Sequence, residues 1–149
     1  MTRGAQRAQA LVFFVVALPT FVAMAGLAID GALLLAQRRQ LQSTVDGAAR
    51  AGATRLDMEL MRASGGSDVH IDIALARLAT NVYLTESLDH TLPWRTPPEA
   101  RIEVTRTRVR VSVEGRVPTA FMRIVGVDQV ALGATADAAA QYGIRAPTP

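Results

Sequence analysis

The chain opens with a run in which no polar pattern interrupts the apolar one. From Ala10 to Ile29 it reads ALVFFVVALPTFVAMAGLAI, without a charge. Twenty residues of helix rise about 30 Å, the hydrocarbon thickness of a bilayer, so this run predicts a transmembrane helix. Mostly apolar residues continue to Ala36, and the span is placed at 10–36, after a basic tail at 1–9. Beyond it the pattern becomes one-sided. Leu34, Leu41, Val45, Ala48, Gly52 and Leu56 recur at helical spacing, with Gln37, Arg38, Arg39, Gln40, Gln42 and Ser43 between them. The helix therefore continues as an amphipathic one. Its apolar face narrows to small residues, so Leu41, Val45, Ala48, Ala49 and Gly52 are expected to form a helix-packing interface.

Ala63–Ser67 reads as a loop, and Ser67 or Asp68 as the cap of a second helix. Ile71, Leu75, Leu78 and Val82 form its apolar stripe, and it runs to about Leu88. Pro93, Pro97 and Pro98 then break regular structure, with Trp94 covering a core edge. In the last third the period falls to two. Ile102 and Val104, then Val109, Val111 and Val113, alternate with polar residues across a junction at Arg106-Thr107, which predicts a hairpin. Val117-Pro118 ends the second strand, Thr119–Val125 is a helical turn closed by Gly126, and a third strand runs from Gln129 to about Tyr142. The expected class is α+β: a long N-terminal helix, a second helix and a small three-stranded antiparallel sheet. The exported domain is placed at 37–144 and a disordered tail at 145–149.

Charge adds an asymmetry. All 16 basic residues are arginine, and the net charge is +3. Arg3, Arg7, Arg38 and Arg39 against Asp30 account for that excess, and from Gln40 onward arginines and acids balance. A neutral soluble part argues against nucleic acid as a partner, because phosphate binding needs a basic excess. The charges instead flank a span. With a short basic N-terminus, the expected topology keeps the N-terminus in the cytoplasm and exports the bulk of the chain. A cleaved secretory signal competes with this reading, since Ala23-Met24-Ala25 has the A-x-A form, but the apolar run exceeds a usual signal core. Cleavage there would release a secreted binding domain.

Asp30 is the exceptional residue of the span. It reads either as an interfacial acid or as a contact for a basic group on another membrane helix, because an unpartnered acid in lipid is costly. Candidate chemistry is otherwise sparse. There is no cysteine. His70 lies between Asp68 and Asp72, but two-residue spacing on a helix splits such a set across faces, and the donors are poor in nitrogen and sulfur. No phosphate loop, dinucleotide fingerprint or nucleophile elbow occurs. No enzyme activity, cofactor or small-molecule substrate is expected. Arg106, Arg108, Arg110 and Arg116 on the strands form a possible partner surface, interleaved with Glu103 and Glu114.

These residues resemble a known family. The Arg-Gly-containing tail, the Gln-Ala-Leu-Val entry to the span, Gly26-Leu27-Ala28-Ile29-Asp30, Arg38-Arg39-Gln40-Leu41-Gln42 and Asp46–Ala53 resemble the TadG-like proteins of the tight-adherence (Tad/Flp) pilus system. Val12–Pro19 is similar to the corresponding stretch of TadE-like pseudopilins. The resemblance covers about the first 55 residues and implies a pilus-assembly role with pilins or assembly proteins as partners. Prepilin substrates carry a glutamate five residues into the mature chain; here that place is held by Phe13 or, in another register, by Gln9. This departure favours an uncleaved, short TadG-like protein over a minor pilin that enters the filament.

Overall fold

A computed structural model describes residues 3–140 of the chain. The first helix, α1 (Arg3–Ala53), has 51 residues and is unbroken. At 1.5 Å per residue it is about 76 Å long. Pro19 lies within it, and the Thr20 hydroxyl donates to the Val16 carbonyl at 3.1 Å. From Leu11 to Ile29 its large apolar side chains are exposed around the whole circumference, Phe13 by 74%. The best 18-residue window has mean hydropathy 2.4 and is almost wholly unburied, unlike the core helix of a soluble domain.

From Gly26 onward one face of α1 turns inward. Gly26, Asp30, Leu34, Gln37, Leu41, Val45, Ala48 and Gly52 are buried or half-buried, at successive spacings of 4, 4, 3, 4, 4, 3 and 4. The stripe thus begins eight residues earlier than Leu34, inside the apolar run, and α1 has no break at residues 36–37. It ends at Ala53 rather than continuing through Leu56. Leu56 instead forms an antiparallel bridge with Ile71, and the Ile71 amide donates to the Arg106 carbonyl at 2.7 Å.

A short helix, α2 (Met58–Ala63), absent from the sequence expectation, is capped by Asp57. Gly65 and Gly66 follow with positive φ. The next helix, α3, spans Ile73–Thr91, and its cap is Asp72, which accepts from the Ala74 and Leu75 amides at 2.9 and 3.0 Å. Ser67 and Asp68 do not cap it. The bridge to Leu56 holds the chain extended up to Ile71, so the helix starts later. Its facing is also reversed from the expected one. Leu75, Leu78 and Val82 are 52%, 60% and 47% exposed, and the buried face is Ala76, Thr80, Leu84 and Leu88. The small residues allow close approach. A Cβ on Gly52 would collide with the Thr80 hydroxyl and lie 3.2 Å from the Ala76 carbonyl.

The sheet has order β1-β2-β3, with β1 at Glu99–Val104, β2 at Arg108–Pro118 and β3 at Gln129–Ala139, all antiparallel. Its inner face, Val109, Val111, Val113, Val117, Leu132, Ala134 and Ala136, closes on α1 and α3 around Leu41, Val45, Ala48, Ala49, Leu84 and Leu88. Trp94 packs against this core, donates its indole N–H to the Leu88 carbonyl at 3.0 Å, and occupies the space a side chain at Gly115 would need. The architecture is α+β. The expected strand end at Tyr142 and the tail 145–149 lie outside the described residues.

Candidate functional site

Strand β2 leaves the sheet at Pro118 and runs antiparallel to α1. Val109 lies near Gly52, Pro118 and Thr119 lie beside Leu33, Leu34 and Gln37, and Phe121 lies on Gly26. The loop that follows is closed on itself. The Thr119 amide donates to the Asp128 carbonyl at 3.1 Å, and its hydroxyl donates to the Val127 carbonyl. Within it, Met122–Val125 form a single 3-10 turn that ends on Gly126 at φ +86°. A side chain would be strained at that φ, so glycine fits there.

The start of such a turn leaves backbone N–H groups without partners. Here the Asp30 carboxylate takes them. Its Oδ1 accepts from Ala120 at 3.0 Å, and its Oδ2 accepts from Phe121 at 2.8 Å and from Met122. Asp30 is 2% exposed. One helical turn earlier, Gly26 gives Phe121 its seat: a Cβ there would stand 2.8 Å from the Phe121 Cβ and 2.9 Å from its Cγ. Gly26 and Asp30 thus form one clasp that fastens the 119–127 loop to α1. Asp30, expected as an interfacial acid or as the contact for a basic group on another membrane helix, is met within this chain by three backbone amides of its own fold. The spacing that continues Leu34 back to Asp30 and Gly26 was visible in the sequence. The docked loop, ninety residues away, was not.

The other expected sites separate. Leu41, Val45, Ala48, Ala49 and Gly52 do come together, as the α1 contribution to the chain's own core. Arg106, Arg108, Arg110 and Arg116 are all exposed. They do not make a uniform basic face. Arg110 pairs with Asp137, Nε to Oδ1 at 3.0 Å, and this partnership raises the guanidinium and lowers the carboxyl relative to their ordinary values. Glu99, Glu103 and Glu114 line the same shallow depression on the outer sheet face. His70 lies in extended chain rather than on a helix, and Asp72 is engaged in capping α3. Among the described residues, no three His, Cys, Asp or Glu side chains gather into a metal-binding group.

Residues 8–55 match the model of a family described as putative Flp pilus-assembly TadE/G-like. No curated protein and no solved structure matches the chain. The matched stretch holds the exposed apolar segment, Gly26, Asp30 and nearly the whole core-facing stripe of α1, the same stretch whose residues carry the resemblance. Over this N-terminal third the chain is similar to the TadE/G-like family of Flp pilus-assembly proteins.

Proposed function

We propose that this protein is a non-enzymatic, single-pass membrane component of a Tad/Flp-type pilus assembly machine. Its α1 crosses the bacterial cytoplasmic membrane with the N-terminus inside, and the α+β domain stands outside. The observation that carries this reading is that one family-matched helix is apolar on every side up to Ile29 and core-facing on one side from Gly26. Lipid satisfies the first half and the domain satisfies the second. The arginines before the span and the folded bulk after it favour this orientation.

The domain offers partners two surfaces. One is the exposed apolar stripe of α3, with Leu75, Leu78 and Val82 beside Ala51 of α1. The other is the mixed-charge outer sheet face bearing Arg108, Arg110 and Arg116. Catalysis has no assigned residues in this reading, and Asp30 serves architecture. The test is piliation of a clean deletion strain, viewed by electron microscopy and complemented with the full-length gene. Loss and rescue of filaments is the expected result. Normal filaments in the deletion strain overturn the proposal.

A further inference from the structure

The loop clasped by Asp30 carries apolar side chains that the fold does not use. Ile124 is 80% exposed and Val125 74%, with Phe121 at 41% and Val127 at 37%. Ile124 exceeds even the phenylalanines on the apolar half of α1, so it is the most exposed large apolar side chain among the described residues. Four such residues within seven positions, on a loop closed by its own hydrogen bonds, do not arise from a shortage of polar surface.

The position of the loop identifies what covers it. Chain contacts descend α1 step by step: Thr119 near Gln37 and Leu33, Ala120 at Asp30, Phe121 at Gly26. The path moves toward the N-terminal, apolar end of the helix, where the amides of residues 120–122 are held at Asp30 and the Phe121 side chain reaches on to Gly26, so the turn at Met122–Val125 sits beside this end of the helix. If the span occupies twenty residues from Ala10, its outer edge is at Ile29, and Gly26 lies about 5 Å inside that edge. Leu27 and Ile29, on the helix at this level, are themselves exposed apolar residues. Arg123, between Met122 and Ile124, is exposed and long enough to carry its guanidinium back to the headgroups.

We infer that the 121–127 loop is a second membrane contact, which dips Ile124 and Val125 into the outer acyl boundary of the bilayer that α1 crosses. This rests on the proposed anchor. The depth matches that of monotopic elements, about 5–10 Å. The contact also gives the clasp a purpose. Asp30 and the loop amides, each costly in lipid alone, satisfy one another at the depth where water is lost.

The absence of cysteine allows a direct test on the full chain. Single variants Ile124→Cys, Leu27→Cys and Leu78→Cys are spin-labelled and reconstituted in phosphatidylethanolamine–phosphatidylglycerol vesicles. Collision with oxygen, which concentrates in lipid, is compared with collision with a water-soluble nickel complex. Leu78 lies near the far end of α1, about 39 Å above Gly26 if it is level with Gly52, and reports water. All three side chains are exposed, so unchanged melting of the labelled chains checks the fold. The expected result is an oxygen-to-nickel ratio above one at residues 27 and 124 and below one at residue 78. A water-like ratio at 124 with a lipid-like ratio at 27 overturns the loop contact and leaves the anchor standing. A water-like ratio at both overturns the anchor and the loop contact together.

Discussion

Two glycines on α1 provide a matched test of the clasp. Gly26 and Gly31 sit in the same helix, five residues apart. A Cβ at Gly31 meets nothing within 4 Å, whereas one at Gly26 stands 2.8 Å from the Phe121 Cβ. Carbon atoms pack at about 3.5–4.0 Å, so Gly26→Ala forces Phe121 outward by about 1 Å. The Phe121 amide lies 2.8 Å from Asp30 and the Ala120 amide 3.0 Å. A retreat of that size takes both past hydrogen-bond range. Overpacking of this kind costs about 1–3 kcal/mol, which shifts the docked-to-undocked ratio of the loop by about 5- to 150-fold. Both substitutions gain the same helix propensity, about 1 kcal/mol for alanine over glycine, so the propensity term cancels between them. The assay is amide hydrogen exchange of the full chain in detergent. Gly26→Ala accelerates exchange at Ala120, Phe121 and Met122 by that factor, while Val111 and Val113 in the sheet stay protected. Gly31→Ala leaves all five amides at the wild-type rate. Equal, unaccelerated exchange in the two variants would refute the seat of Phe121 on Gly26.

Leu41 has no exposed surface and sits in the core between α1 and the sheet. Leu41→Ala costs about 2–5 kcal/mol and lowers Tm by roughly 10 °C or more, whereas the exposed Leu75→Ala stays within about 0.5 kcal/mol of wild type; thermal melts followed by circular dichroism compare the two. Arg110 holds the Asp137 carboxyl below its ordinary value. A carboxyl lowered in the folded state contributes stability above its unfolded pKa and loses it as pH falls through the folded one. Both partners are substantially exposed, so the contribution is small. Asp137→Asn therefore lowers Tm slightly at neutral pH, and the gap to wild type closes as the pH falls below the ordinary carboxylate range and through the lowered folded value, in melts run as a pH series.

What the sequence revealed depended on how local each pattern was. The strands were legible because their alternation is complete: Val109, Val111 and Val113 against Arg108, Arg110 and Ser112, with Val130–Ala138 in matching parity. The existence of α3 was legible and its facing was not. Two helical stripes coexist on it, Leu75-Leu78-Val82 and Ala76-Thr80-Leu84-Leu88, and bulk argues for burying the first. The choice is made by α1, whose Ala48, Ala49 and Gly52 admit only a close backbone, so the small stripe packs and the large one faces out. The start of α3 at Asp72 likewise depends on the Leu56–Ile71 bridge, a pairing between two short stretches with no strand pattern of their own.

Asp30 shows how an acid in an apolar run can be recognised before its partner is known. An uncompensated carboxylate at that depth is costly, so a partner was implied. The helix supplies the direction in which to look, because Asp30 and Gly26 extend the stripe Leu34-Gln37-Leu41-Val45-Ala48-Gly52 without a phase change. The same face that buries the core therefore faces inward at the end of the apolar run. A loop of the same domain, not necessarily a second protein, can reach it there. The consequence is mechanical. The exposed apolar and core-facing halves of α1 overlap between Gly26 and Ile29 in one unbroken helix, with no linker between apolar segment and domain. The clasp adds a second attachment at that overlap. The domain is thus oriented by α1, and if α1 is the anchor proposed above, any partner that tilts or draws it moves the α3 stripe and the sheet face with it.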